Sequence, residues 1–418
     1  MLALFYTLAT LVQLPNTRVL RLSVLVAMGT LAWRVSTRYN FDGSDEPGHN
    51  VGSMTVCVRP VSLIQRHLRP DLMRGTAVLQ WFMAFLMLRA TDFATSTKLF
   101  VRERFSWLPP DAPKDFSTQL KGAMLNAFDL TFNARGVGWN WGKNIYVPPP
   151  STDPTTARKG AIDFFVGHVI TQTFFDFVLF AQQSWHLSPS KYPTHRHGGS
   201  IFNPDLPPLR RYGKVAAMTF ICPLGLCTSF QATYYLIGFL GMTVFRQAPE
   251  QWPPLFQEPW KATSLGDFWG LRWHQVFKRS FVVCGAKPAV RFFGRAGGVL
   301  GAFFVSGIMH DFGVWGAGIG TELSSVTFFF VMMAVGCVLE VVWREKTGLK
   351  VQGPWGWLWS MAWLFFWGSW IVDAWARRGL IVSKLSADGA RPSLYWVYVA
   401  QRWVELHGLP LQGTSHTV

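Results

Sequence analysis

The run from Val299 to Gly318 is apolar except for one ionisable pair, His310-Asp311. A helix needs roughly 20 apolar residues to cross a bilayer core of about 30 Å. Inside hydrocarbon every backbone N–H and C=O must find its partner within the protein, so a run of this kind has to be helical. Comparable runs recur at Ala161–Gln182, Val215–Phe245, Val326–Trp343 and Trp355–Val372, with shorter ones at Leu2–Leu14, Leu22–Trp33, Thr76–Leu88 and Leu394–Val404. The recurrence predicts an all-α, polytopic membrane protein of about 8–10 transmembrane or re-entrant helices. It also predicts a single membrane-embedded domain over residues 1–418. Only 15% of the residues are charged, against about 25% in an ordinary soluble domain.

Punctuation follows from glycine and proline. The long 215–245 run is expected to be two segments or one kinked helix, with Pro223 and Gly225 at the break. Lys98–Lys159 is a polar insert. Its Arg135-Gly-Val-Gly-Trp-Asn-Trp-Gly142 and Pro148-Pro-Pro150 stretches argue against regular helix. Asp42-Gly-Ser-Asp-Glu-Pro-Gly48 is a loop.

The net charge of +16 sits in segments between apolar runs. It is explained by membrane orientation and anionic headgroups, and no nucleic-acid partner is expected. Segment 246–298 carries eight Lys/Arg against three Asp/Glu, a net of +5, whereas Ile319–Ser325 carries only Glu322. The positive-inside rule places the former in the cytoplasm and the latter on the far side, with 344–354 returning to the cytoplasm. Arg377 and Arg378 break that alternation, which predicts a re-entrant or non-spanning segment somewhere in the chain. The five cysteines show neither zinc spacing nor a disulfide framework, and no metal is expected. His195 and His197 read as solvated loop histidines.

An ionisable residue at membrane depth costs about 2.5–3.5 kcal/mol on insertion scales and mostly persists where it does chemistry. His310 is therefore the first candidate for a reacting group; the plainer reading is a histidine bonded to a neighbouring helix. Ser306 lies one turn before it on the same face, and Gly307 and Gly313 permit close helix packing. A second segment, Asp267-Phe-Trp-Gly-Leu-Arg-Trp-His-Gln275, reads as an amphipathic interfacial helix, with Trp269 and Trp273 one turn apart and His274 sharing a face with Lys278. Trp359, Trp363, Trp367 and Trp370 form a stripe that either walls an apolar chamber or packs against protein and lipid. His67-Leu-Arg-Pro-Asp71 has the His-x-x-x-Asp spacing of a soluble acyltransferase family, but Pro70 and the membrane composition count against it.

Phe268-Trp-Gly-Leu-Arg-Trp-His274 followed by Val305-Ser-Gly-Ile-Met-His310 resembles the paired signature of the membrane-bound O-acyltransferases (MBOATs). The pair is most similar to the wax-synthase-like branch. Arg135-Gly-Val-Gly-Trp-Asn-Trp141 is similar to a stretch of fungal members that acylate terpenoid and meroterpenoid alcohols. The resemblance covers about 210–345, the motif-bearing core. It implies a helical bundle around a tunnel, in the endoplasmic reticulum membrane. Acyl-CoA, with acetyl-CoA favoured, enters as co-substrate from the cytoplasm, and no cofactor is bound permanently. A lipophilic alcohol is the acceptor. His310 maps onto the family's intramembrane histidine and His274 onto its second polar residue; Asp311 stands where plant-type members have Glu. The basic flank, with Arg272 and Lys278 beside Trp269 and Trp273, is the expected acyl-CoA site. The alternatives are a long-chain wax-ester synthase and a proton-coupled transporter using His310 and Asp311.

Overall fold

The computed structural model describes residues 1–38, 82–105, 115–146, 154–183, 188–189, 199–316, 321–378, 380–381, 395 and 398–399. The Asp42–Gly48 loop, the His67–Asp71 spacing, Pro148–Pro150, the His195/His197 pair and most of the expected last helix, 394–404, lie outside the described residues.

The first two apolar runs are separate helices, α1 (Leu2–Leu11) and α2 (Arg18–Arg38). Asn16 turns the chain between them in the left-handed region, φ 58°, a conformation that asparagine tolerates better than most residues. Helix α3 spans 82–95. Within the polar insert the chain forms a helix that composition alone hides, α4 (Phe116–Phe132). Asp115 caps it, accepting the Thr118 N–H at 3.1 Å, and thereby satisfies one of the four orphan donors at a helix start. Ala123, Ala127 and Leu130 recur at helical spacing along its buried side. Ala127 and Leu130 join Phe5, Leu8, Phe93, Trp139 and Trp141 in an N-terminal core.

Helices α5 (Pro154–Gln183) and α6 (Pro208–Thr243) pack side by side, with Phe164 edge-on to Tyr235. Of the two expected arrangements, two segments or one helix, the structure shows one: α6 runs through Pro223. A proline leaves the carbonyl four residues back without its donor and strains the turn around it. Beside this turn Gln182 of α5 donates to the Ile221 carbonyl at 3.1 Å, so a neighbouring side chain supplies hydrogen bonding where the ladder is weakened.

After the short helices α7 (Leu265–Asp267) and α8 (Lys278–Phe281) come the long helices α9 (Lys287–Gly316), α10 (Leu323–Thr347) and α11 (Gly353–Arg377). Gly294, at φ 64°, breaks the regular course of α9 near its start. Lower down, Gly307 lets α9 and α10 touch: a Cβ there would lie 2.8 Å from the Thr327 Cα. The tryptophan stripe of α11 packs toward α10. Trp359 donates to Glu340 at 3.0 Å, Trp363 donates to the Met332 carbonyl at 3.0 Å, and Trp367 lies edge-on to Phe328. Its role in packing is thus visible. A two-residue β-pair, β1 (Ser188–Pro189) with β2 (Gly199–Ser200), is tied to α11 through Asp373, which accepts the Ser200 hydroxyl and the Ile201 N–H.

Among the described residues, Gly160–Gln182, Pro208–Thr243, Lys278–Trp315 and Leu323–Thr347 are long and apolar enough to cross a membrane. The protein is a helical integral membrane protein, as the recurring apolar runs predict. Arg377 and Arg378 pair with Glu322, at 3.2 and 2.9 Å, and Arg377 also pairs with Asp373 at 2.6 Å. The end of α11 therefore lies beside the start of α10, as two successive antiparallel helices require. The two arginines and the carboxylates of Glu322 and Asp373 form one charged cluster at that end of the helix pair.

Candidate active site

The site is built from an irregular stretch between α6 and α9. Ser264 caps α7 by accepting the Asp267 N–H at 2.9 Å. Glu340, from inside the apolar helix α10, accepts the next two orphan donors, Leu265 N–H at 2.6 Å and Gly266 N–H at 2.9 Å. The chain then winds into a π-helical turn, Phe268–Arg272, closed by the Trp273 N–H on the Phe268 carbonyl at 2.8 Å. π-Turns of this kind are rare and concentrate at functional sites. Trp273 leaves it in extended conformation, so the expected amphipathic helix through His274 is absent. A 3.6-residue reading would set His274 on one face with Lys278; instead the π-turn and the extended residue turn the imidazole inward. Trp269 and Trp273 still meet, at 6.0 Å between rings.

His274 lies within a cage of aromatic rings: Phe277 at 5.2 Å, Phe230 at 5.4 Å, Trp273 at 5.5 Å and Phe256 at 5.7 Å. Its Nδ1 is shielded from solvent and has no hydrogen-bond partner among the described residues. Burial, and then the proximity of His310, push its pKa down to about 3. The ring is therefore neutral at physiological pH.

His310 sits on α9 with its ring 4.4 Å from that of Phe330 on α10. Its Nδ1 is 2.7 Å from the Ser306 carbonyl oxygen. A carbonyl only accepts, so Nδ1 carries the proton and Nε2 the lone pair. Ser306, one turn earlier on the same face, thus orients the ring through its backbone oxygen. Phe330 also touches Trp269, at 6.4 Å, and Trp269 touches Phe303 at 5.6 Å. A continuous path of rings thus runs from His274 through Trp273, Trp269 and Phe330 to His310. The Nε1 of Trp269 and the Oε1 of Gln275 are likewise buried without a described partner.

The structure brings His274, Trp269, Trp273 and His310 into one cluster. Arg272 and Lys278 are turned to the stretch itself: Arg272 donates to Asp267 at 2.7 Å, and Lys278 to the Gly270 carbonyl at 2.9 Å. Asp311 does not point to the cluster either. It accepts the Glu322 N–H at 2.7 Å and so fastens the start of α10. Two further contributors escaped the sequence reading, Phe330 and Glu340. Glu340 carried the same signal as His310, an ionisable residue inside an apolar run.

Fold and site together define a helical membrane protein with two histidines joined through one aromatic cluster. Residues 252–332 match the membrane bound O-acyl transferase family. That segment holds both motifs, and the likeness read from them is shown there. The chain is 35% identical over 115 residues to the acetyltransferase spyB of Aspergillus fumigatus, covering 26% of this chain and 20% of that protein. It is 26% identical over 253 residues to the acetyltransferase ple2 of Rhodocybe pseudopiperita, covering 57% and 62%. It is 35% identical over 107 residues to the long-chain-alcohol O-fatty-acyltransferase of Simmondsia chinensis, covering 24% and 30%. The matches thus span less than two thirds of each relative's own length. No solved structure matches the chain.

Proposed function

We propose that this protein is a membrane O-acyltransferase moving an acyl group, acetyl in the first instance, from acyl-CoA to the hydroxyl of a lipophilic terpenoid-like alcohol. The observation that carries the reading is the hydrogen bond from His310 Nδ1 to the Ser306 carbonyl, because it leaves the Nε2 lone pair to act as a base. An alcohol is a weak nucleophile at neutral pH, and general-base catalysis contributes about 10²–10⁴-fold. Nε2 of His310 takes the hydroxyl proton as the alcohol oxygen forms its bond to the thioester carbonyl carbon. The tetrahedral oxyanion collapses, the C–S bond breaks, and the proton passes from His310 to the departing CoA thiolate. His274, neutral and with an unpartnered nitrogen, is the donor to the oxyanion. The transfer is direct and forms no acyl-enzyme.

Arg272, Lys278, Trp269 and Trp273 lie beside this path and are assigned to the acyl-CoA side, with the cytoplasmic face as its entry. The chain acts as a single membrane unit whose working core is about 210–345, set in the endoplasmic reticulum membrane. The acetyl preference rests on the fungal relatives named as acetyltransferases. The match to a long-chain-alcohol O-fatty-acyltransferase favours a second reading, wax-ester synthesis. Membranes containing the protein, incubated with acetyl-, octanoyl- and palmitoyl-CoA against terpenoid and long-chain alcohols, decide between them by mass spectrometry of the esters. Absence of any ester and of free CoA thiol across the panel would overturn both.

A further inference from the structure

The stretch Arg135-Gly-Val-Gly-Trp-Asn-Trp-Gly142 takes no part in the transfer just described, yet its first residue reaches the site. Arg135 is 6% exposed. Its Nη1 donates to the Pro254 carbonyl at 2.7 Å, and its Nη2 donates to the Pro253 carbonyl at 2.7 Å and to the Tyr234 hydroxyl at 2.6 Å. Tyr234 in turn donates to the same Pro253 carbonyl at 2.5 Å. Pro253 and Pro254 have no N–H to anchor them, so their stretch is held through its carbonyls. Two residues further, Phe256 packs edge-on to Trp273 at 5.2 Å and to His274 at 5.7 Å. Gln257 then donates its N–H to the Arg272 carbonyl at 2.9 Å. Residues 253–257 are thus fastened by Arg135 at one end and by the π-turn at the other, with the His274 ring against the middle.

The remainder of the stretch keeps Arg135 aimed. Gly136 adopts φ 70°, and a Cβ on Gly142 would overlap the Gly136 carbonyl. The side chain of Asn133 accepts the Val137 N–H at 3.0 Å and donates to the Val137 carbonyl at 2.8 Å. Trp139 donates to Asp129 at 2.7 Å. The loop folds on itself, and its tightness is what the glycines provide.

We propose that Arg135 is a positioning residue for the acyl transfer, acting through Pro253, Pro254 and Phe256 on the His274 imidazole. This rests on the function proposed above. Its charge also adds, after burial and His310, to what disfavours the His274 imidazolium. Lysine keeps the charge, but a single ammonium lacks the planar fork that spans two carbonyls and a phenol.

The test compares wild type, Arg135→Lys and Tyr234→Phe in detergent by two readouts. The first is steady-state kinetics with the acyl donor that wild type uses. The second needs no turnover: diethyl pyrocarbonate labelling of each histidine, read by peptide mass spectrometry, with His168 as the internal reference because its Nδ1 is held 2.9 Å from the Ala232 carbonyl and not by the 253–257 stretch. Arg135→Lys is expected to lower kcat by about 10²-fold, the scale of a misplaced catalytic group, with the KM for acyl-CoA unchanged. His274 labelling is expected to rise while His168 labelling stays put, and Tyr234→Phe is expected to fall between. Wild-type kinetics and labelling in Arg135→Lys would overturn the proposal, and so would a rise at both histidines, which marks general loosening. A selective rise at His274 in a protein that transfers no acyl group would keep the positioning role and overturn the function.

Discussion

The Nδ1 of His310 lies 2.7 Å from the carbonyl oxygen of Ser306, one helical turn earlier. This contact sets the tautomer of the ring from the backbone alone, so no side chain at position 306 is required for it. Ser306→Ala is expected to retain turnover, while His310→Ala abolishes it in protein that still folds. Turnover of both variants, alongside their elution from size-exclusion chromatography in detergent, checks this. Near-normal activity in His310→Ala would remove it as the base.

His274 is expected to matter in the transition state. Losing one oxyanion donor costs about 10²–10³ in rate, or about 2.7–4 kcal/mol. Asparagine keeps a donor, so His274→Asn should be faster than His274→Ala at saturating acyl-CoA. Equal losses in the two variants would argue against hydrogen bonding, and the role would revert to packing within the aromatic cage.

Arg272 and Lys278 are each bonded to the stretch that carries His274. If their charge also receives the CoA phosphates, Arg272→Gln and Lys278→Gln raise the KM for acyl-CoA more than the KM for the alcohol. A change confined to the alcohol would move the CoA site elsewhere.

Glu340 uses Oε1 for the Leu265 N–H and the Trp359 indole and Oε2 for the Gly266 N–H. Glutamine has one acceptor oxygen and sets an N–H₂ against an N–H. A buried donor left unpaired costs about 1–3 kcal/mol, so Glu340→Gln should lower the midpoint of thermal unfolding in detergent and depress activity together. An unchanged midpoint would show that α7 does not depend on this carboxylate.

Asp311 accepts the Glu322 N–H at the start of α10. Asparagine preserves that oxygen, so Asp311→Asn should turn over as wild type does. A proton relay through His310 and Asp311 predicts loss in the same variant, which makes this measurement a direct test of the transporter alternative.

The helices were legible wherever an apolar run has nowhere to go but a membrane, and His310 was legible because it and Asp311 are the one ionisable pair in their run. The inward turn of His274 was not, because periodicity assumes 3.6 residues per turn and the chain uses a π-turn followed by an extended residue at Trp273. Helix α4 was hidden for a different reason: its apolar side is built of small residues, Ala123 and Ala127, which composition does not flag. Pro223 left two segments or one helix open because a proline break depends on the surrounding packing, and here Gln182 of another helix donates beside the turn.

The guanidinium of Arg279, just after the His274 stretch, pairs with both carboxylate oxygens of Asp92 on α3 and lies 4.9 Å from the rings of Phe100 and Trp141. Removing one member of a buried pair strands the other charge. An engineer who exchanges front halves between relatives to graft a new acceptor preference therefore inherits a compatibility condition. The incoming half must bring its own aspartate to this arginine, or the seam has to be redrawn so that positions 92 and 279 travel together.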